Sequence, residues 1–209
     1  MKQRKDRLAA IILLLEQEYP NASCALIYRT PFQLLVATIL SAQCTDERVN
    51  KVTAPLFKQY PTASDMAKLP TEEIAQMIYT TGLYNHKANS VSGLSNILME
   101  RYDGEVPQTI EELVALPGVG RKTANVVLGN AFQIPGLAVD THVIRLMNLL
   151  GLVQSKDAVK IEKVLMDLVP QQQWTQFSHL VISHGRRICI ARRPQCSQCV
   201  LANLCPSSL

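Results

Sequence analysis

The apolar residues of this chain recur at helical spacing from one end to the other, and nowhere do they alternate as a half-buried strand would require. Leu8, Ile11, Ile12 and Leu15 set the pattern near the start, and Ala124, Val127, Leu128 and Ala131 repeat it later. A period of 3.6 with no run of period two predicts an all-α fold. With 209 residues, 47% hydrophobic and 18% charged, the chain is too apolar to be disordered and large enough for one large or two small domains. The run Leu8 to Leu15 is too short to span a bilayer. Asp6 interrupts the basic residues before it and Glu16 and Glu18 follow at once, so it reads as an amphipathic helix and not an export leader.

Capping residues divide the rest into short helices. Thr30 precedes Pro31 and a run to Leu40 that is apolar on most sides, a buried central helix. Thr45 or Asp46 caps the next, with Val49, Val52, Leu56 and Phe57 inward. Thr71 opens a helix closed by Gly82, and His86 opens one that runs to Tyr102 before Asp103-Gly104. Thr109-Ile110-Glu111-Glu112 fits a capping box before a short helix to Leu116. Arg121 to Phe132 follows, then a helix capped by Asp140 or Thr141 to Leu150. Another opens at Ser155 or Asp157 and ends before Pro170, and the last long one runs from Trp174 to Gly185. Cys24 and Cys44 stand alone and read as buried small hydrophobes.

Leu116-Pro117-Gly118-Val119-Gly120-Arg121-Lys122 joins two helices through a turn with two glycines. Glycine permits positive φ and close approach of a partner backbone. Amides at the start of the second helix suit a phosphate, so the segment is either a DNA-backbone clamp or an ordinary helical corner. Lys122 falls in the first turn of that helix, where the dipole disfavours a cation. It reads as a phosphate ligand or as an amine kept neutral enough to act as a nucleophile. Asp140 reads as an N-cap or as an acid-base group.

The C-terminal forty residues carry Arg186, Arg187, Arg192 and Arg193 and no Asp or Glu. The net charge of +4 is therefore concentrated there, either as a nucleic-acid surface or as a solvated basic tail. Four cysteines, Cys189, Cys196, Cys199 and Cys205, lie within the same stretch. Thiolates this close in sequence can surround one metal centre. Zinc is the default for four cysteines. Only one Cys-x2-Cys knuckle is present, though, and the spacing is not that of a ferredoxin.

Taken in order, several segments resemble the endonuclease III family of helix-hairpin-helix DNA glycosylases. They are Ser41-Ala42-Gln43-Cys44-Thr45-Asp46, Gly82-Leu83-Tyr84, Gly104-Glu105-Val106-Pro107, the glycine hairpin with Lys122, Val139-Asp140-Thr141-His142-Val143, and Gly185-Arg186 before the cysteines. The resemblance covers nearly the whole chain. It implies a two-lobed fold, with a helical barrel lobe over 24–133 and a discontinuous lobe of 1–23 and 134–209 that carries a [4Fe–4S] cluster on the four cysteines. A cleft between the lobes is expected to bring Lys122 and Asp140 face to face.

The implied activity is excision of oxidised pyrimidines from duplex DNA, followed by strand cleavage at the abasic site. Lys122 would attack the sugar C1′ with Asp140 assisting, and β-elimination would follow. Gln43 would fill the gap left by the flipped nucleotide and Leu83 would wedge the stack. Gly118, Val119, Gly120, Arg121, His142, Arg145, Arg192 and Arg193 are the other expected DNA contacts. The partner would be double-stranded DNA with a damaged base or an abasic site, met by a monomer in the nucleoid of the cytoplasm and not at a membrane.

Adenine-mismatch and thymine-mismatch glycosylases resemble the chain too. Lys122 argues against both, and the stop at Leu209 argues against the former, which carries an extra C-terminal domain. A non-catalytic DNA-binding module would leave the pairing of Lys122 with Asp140 without purpose, and an electron carrier would leave the hairpin unexplained.

Overall fold

Thr30, in extended backbone, accepts a hydrogen bond from the Gln33 amide at 3.3 Å, and helix α2 (Pro31–Leu40) begins at the proline it precedes. The computed structural model describes residues 2–208, and among them there are only helices, turns and loops. Residues 1 and 209, the ends of the lobe expected to hold both termini, lie outside the described residues. Nearly every residue of α2 is buried. A helix apolar all round belongs inside a core.

Two compact units divide the chain, Cys24–Ile134 and the pair of segments Met1–Ser23 with Pro135–Leu209. Ile134 groups with the first unit, where its amide donates to the Leu128 carbonyl at 3.0 Å. That unit contains α2, α3 (Asp46–Gln59), α4 (Ala63–Ala67), α5 (Thr71–Met77), α6 (Tyr84–Arg101), α7 (Ile110–Val114) and α8 (Arg121–Ala131). Leu34, Leu35, Leu40, Val49, Leu94 and Val127 lie at the centre of its core.

The second unit holds α1 (Lys2–Glu18), α9 (Thr141–Leu149), α10 (Ala158–Leu168) and α11 (Trp174–Arg187). Its separate core includes Leu8, Ile11, Leu15, Val143, Leu165 and Phe177. The apolar face of α1 packs on α11, so both ends of the chain belong to one unit.

Several local expectations need correction. The helix opened at Thr71 stops at Met77 and yields to a 3₁₀ turn, Tyr79–Thr81, before Gly82. The helix expected from His86 starts two residues earlier, at Tyr84, because Leu83 takes up a left-handed conformation and serves as its N-cap. On α3 the expected Val49, Val52, Leu56 and Phe57 all pack into or against the first core, and Thr53, which the apolar pattern passes over, is buried with them. The Thr109 box forms by half, since its hydroxyl caps the Glu112 amide while the Glu112 carboxylate returns to that hydroxyl and not to the Thr109 amide. Helix α4, with a complete capping box between Thr62 and Asp65, has too few residues to show a period and escapes the sequence pattern. Cys24 and Cys44 are half-buried at the edge of the first core.

Candidate nucleic-acid interface and metal centre

The glycine hairpin spans the C-terminus of α7 to the N-terminus of α8. Gly118 has φ +76, and a Cβ there would collide with the side chain of Ser90 on α6. Gly118 is therefore required by the fold of the hairpin itself. Gly120 differs. Its φ is −91 and a Cβ would meet nothing, so no contact inside the protein demands glycine. Gly120 is the N-cap of α8 and offers no side chain to its first turn, leaving that turn's amides to other partners. Val119 is buried and its amide donates to the Leu116 carbonyl at 3.1 Å, so its contribution to any outer surface is confined to backbone. Arg121 and Lys122 are exposed on the first turn of α8.

Two further loops of the same unit carry exposed residues in left-handed backbone. Gln43 (φ 53) lies three residues beyond the end of α2, and Leu83 (φ 49) precedes α6. Leu83 is 55% exposed, so it is not the apolar contact that would follow a Gly82 helix cap.

In the other unit Asp140 caps α9. Its Oδ1 accepts from the His142 amide at 2.8 Å and the Val143 amide at 2.9 Å. Both bonds fall on one oxygen, so Oδ2 stands outside the cap. The capping role that the sequence allowed is realised, and it leaves half of the carboxylate for chemistry. His142 packs against Gly185 so tightly that a Cβ on Gly185 would fall 2.9 Å from its Nδ1. Burial moves the His142 pKa down. Arg145, expected on a DNA-facing side, has its guanidinium donating to the carbonyls of Gly185 and Cys189. Arg192 and Arg193 are exposed on the loop between Cys189 and Cys196, which is pinned where the Gln195 amide meets the Ile188 carbonyl at 3.0 Å.

All four C-terminal cysteines are half-buried free thiols that line one apolar cavity of about 70 Å³. Burial raises the pKa of Cys189 and Cys199, and the charges of the neighbouring thiols add to that rise. Such a set is stabilised by cationic metal. Among the described residues, no three His, Cys, Asp or Glu side chains converge as a single ion would require. The four cysteines lining one cavity supply the thiolate set that an iron–sulfur cluster takes.

His184, which sequence reasoning missed, is 1% exposed beside this set. Its Nε2 lies 3.4 Å from the Cys199 Sγ and its Nδ1 is 3.0 Å from the Tyr19 hydroxyl. Arg187 stacks over the Tyr19 ring. Tyr19 and His184 are 165 positions apart in the chain, so no local pattern could have paired them.

Helices joined by such a hairpin, with a cysteine-lined centre in the same chain, define a class of base-excision proteins. Residues 36–171 match the model of the HhH-GPD superfamily base excision DNA repair protein, and residues 189–205 match the iron-sulfur binding domain of endonuclease III. The endonuclease III of Synechocystis sp. is 54% identical over 209 residues, which cover 100% of this chain and 95% of that protein. Two solved structures, a non-covalent endonuclease III–DNA complex and a trapped endonuclease III–DNA covalent intermediate, each superpose with a TM-score of 0.94 at 44% identity. Each comparison covers 98% of this chain and 96% of the other.

The chain belongs to the endonuclease III family. It is a bifunctional base-excision DNA glycosylase and lyase, its partner is DNA, and its cofactor is a [4Fe–4S] cluster. Among the described residues no helix is long and apolar enough to cross a membrane.

Proposed function

We propose that this enzyme excises oxidised pyrimidines from duplex DNA through a covalent bond between Lys122 and the deoxyribose. The Nζ of Lys122 attacks C1′, the glycosidic bond breaks, and the base departs with the bonding electrons and a proton. Ring opening leaves an imine between Nζ and C1′. Loss of a C2′ proton then expels the 3′ phosphate, cutting the strand 3′ to the lesion, and water releases the lysine. Asp140 offers its uncommitted Oδ2 to the lysine's proton and to the positive charge that develops on the sugar.

The observation that supports this assignment most directly is the placement of Lys122. It is an exposed amine in the first turn of a helix whose N-cap, Gly120, meets no neighbouring atom where a side chain would begin. A DNA backbone can approach that turn closely. Gln43 and Leu83 enter the duplex, Gln43 into the vacated space and Leu83 into the stack. The exposed Arg192 and Arg193 meet phosphates. Cys189, Cys196, Cys199 and Cys205 hold the cluster, which supplies folding energy to the C-terminal segment. The enzyme works as a monomer on the nucleoid. Mismatch glycosylase activity is disfavoured by the lysine at position 122.

Borohydride trapping tests the central claim. On DNA with an abasic site or an oxidised pyrimidine, the wild-type protein should give a covalent adduct and Lys122→Gln none. Equal trapping by the variant, or no adduct from either, defeats the assignment. A panel of lesion-bearing duplexes then tests the substrate class.

A further inference from the structure

Lys87 has no part in the chemistry assigned above, yet it is 4% exposed inside the first unit. It lies on the first turn of α6, where its amide closes on the Leu83 carbonyl at 3.1 Å. Its Nζ donates to the carbonyl of Leu40 at 2.8 Å and to that of Thr81 at 2.7 Å. Leu40 is the last residue of α2, and Thr81 is the last of the 3₁₀ turn. Three residues after the first acceptor comes Gln43, and two after the second comes Leu83. Both are exposed and both are left-handed without being glycine.

Non-glycine residues in this conformation are strained, so a loop keeps two of them only where its surroundings hold it there. A buried ammonium is itself costly and is tolerated when hydrogen-bonded. Burial lowers the Lys87 pKa, which is the same cost seen from the titration side. An apolar side chain would fill this space without desolvating a charge, but could not tether two carbonyls at once.

We propose that Lys87 is a positioning residue for base extrusion, one amine that holds the Gln43 and Leu83 loops in a fixed relation so that both enter the duplex together. The proposal rests on the duplex-probing roles given above to those two residues. Lys87 touches neither DNA nor the reacting sugar, and its effect passes through the two carbonyls. Base extrusion from an intact stack needs both loops in place, whereas attack on an abasic site in single-stranded DNA has no stack to open.

The test compares two substrates at single turnover. One is a duplex containing thymine glycol opposite 2-aminopurine, whose fluorescence reports stack opening. The other is a single-stranded oligonucleotide with an abasic site, read by borohydride trapping. Lys87→Met should slow excision from the duplex roughly tenfold and reduce the fluorescence change, while single-strand trapping moves less than about twofold. Lys87→Arg, which keeps the charge and the donors, should lie nearer to wild type. Leu83→Ala should repeat the duplex defect, and adding Lys87→Met to it should cost little more.

Equal losses on both substrates, an unchanged duplex rate, or fully additive losses in the double variant would overturn the proposal. Silent Leu83→Ala and Gln43→Ala would remove the probing roles and the proposal with them. A silent Lys87→Met beside a defective Leu83→Ala overturns the proposal alone. Lys87→Gln is read in place of Lys87→Met if the latter does not fold. Failure of every Lys87 variant to fold would show a core strut and equally overturn it.

Discussion

Gly118 lies so close to Ser90 that a Cβ built on it would fall 2.6 Å from the Ser90 Cβ and 2.7 Å from its Oγ. With a φ of +76 as well, Gly118→Ala meets both backbone strain and overpacking. Together these should lower stability by about 2–4 kcal/mol in chemical denaturation. Gly120→Ala has open space and should cost about 1 kcal/mol or less, mostly from a poorer N-cap. Its larger effect should be on affinity for DNA, measured by fluorescence anisotropy, because its methyl stands where a phosphate would come. Full affinity in Gly120→Ala would show that this turn does not receive the backbone.

Asp140 caps α9 through Oδ1 alone, the chemical task proposed for it falls to the other oxygen, and two substitutions separate the two. Asn caps a helix about as well as Asp, so Asp140→Asn should fold with wild-type stability and bind DNA while turnover collapses. Asp140→Ala loses the bonds to the His142 and Val143 amides and should forfeit about 1 kcal/mol in addition. Denaturation midpoints beside single-turnover rates check both, and a destabilised Asp140→Asn would return the residue to capping alone.

Arg145 ties α9 to the start of the cysteine segment through the carbonyls of Gly185 and Cys189. Arg145→Met removes a charged donor from two acceptors and should cost about 2–3 kcal/mol. The cysteine-bearing loop should also loosen, so the visible absorbance of the bound cluster should decay faster when an iron chelator is added. A decay rate equal to that of wild type would show that this clamp does not guard the cluster.

His179 has its pKa lowered below the ordinary 6.5 by burial first and by the Arg186 charge second. The unfolded chain therefore takes up this proton at a higher pH than the folded protein does. Its contribution to stability is complete above pH 6.5 and is lost as pH falls from there through the lowered folded value. Denaturation midpoints measured from neutral to mildly acid pH should fall in wild type and fall less in His179→Gln. The slope should shrink without vanishing, because His142 and His184 are shifted in the same direction. An unchanged slope would remove His179 from the acid response.

Much of the helical framework was legible because it is written in nearest neighbours. Thr30 before Pro31, Asp157 before Ala158 and the face of Leu8, Ile11 and Leu15 act over three or four residues, and each appears where its spacing places it. The Tyr79–Thr81 turn and the early start of α6 were not legible. They go with a left-handed Leu83 and with a buried Lys87 whose Nζ meets the carbonyls of Thr81 and of the distant Leu40. The hairpin glycines looked alike in the sequence, and it is the positive φ of Gly118 and its nearness to Ser90, against the extended backbone and open space at Gly120, that separate a glycine the fold needs from one it does not.

The order of its motifs was enough to place the chain in its family and to nominate Lys122, Asp140 and the four cysteines, since those motifs are strings of adjacent residues. The second oxygen of Asp140, the inward turn of Arg145, the His184 contact to Cys199 and the Lys87 tether were decided by tertiary structure alone. A hydrogen bond or a shared cavity depends on distance in space, and chain spacing encodes that distance only within a few turns of one helix.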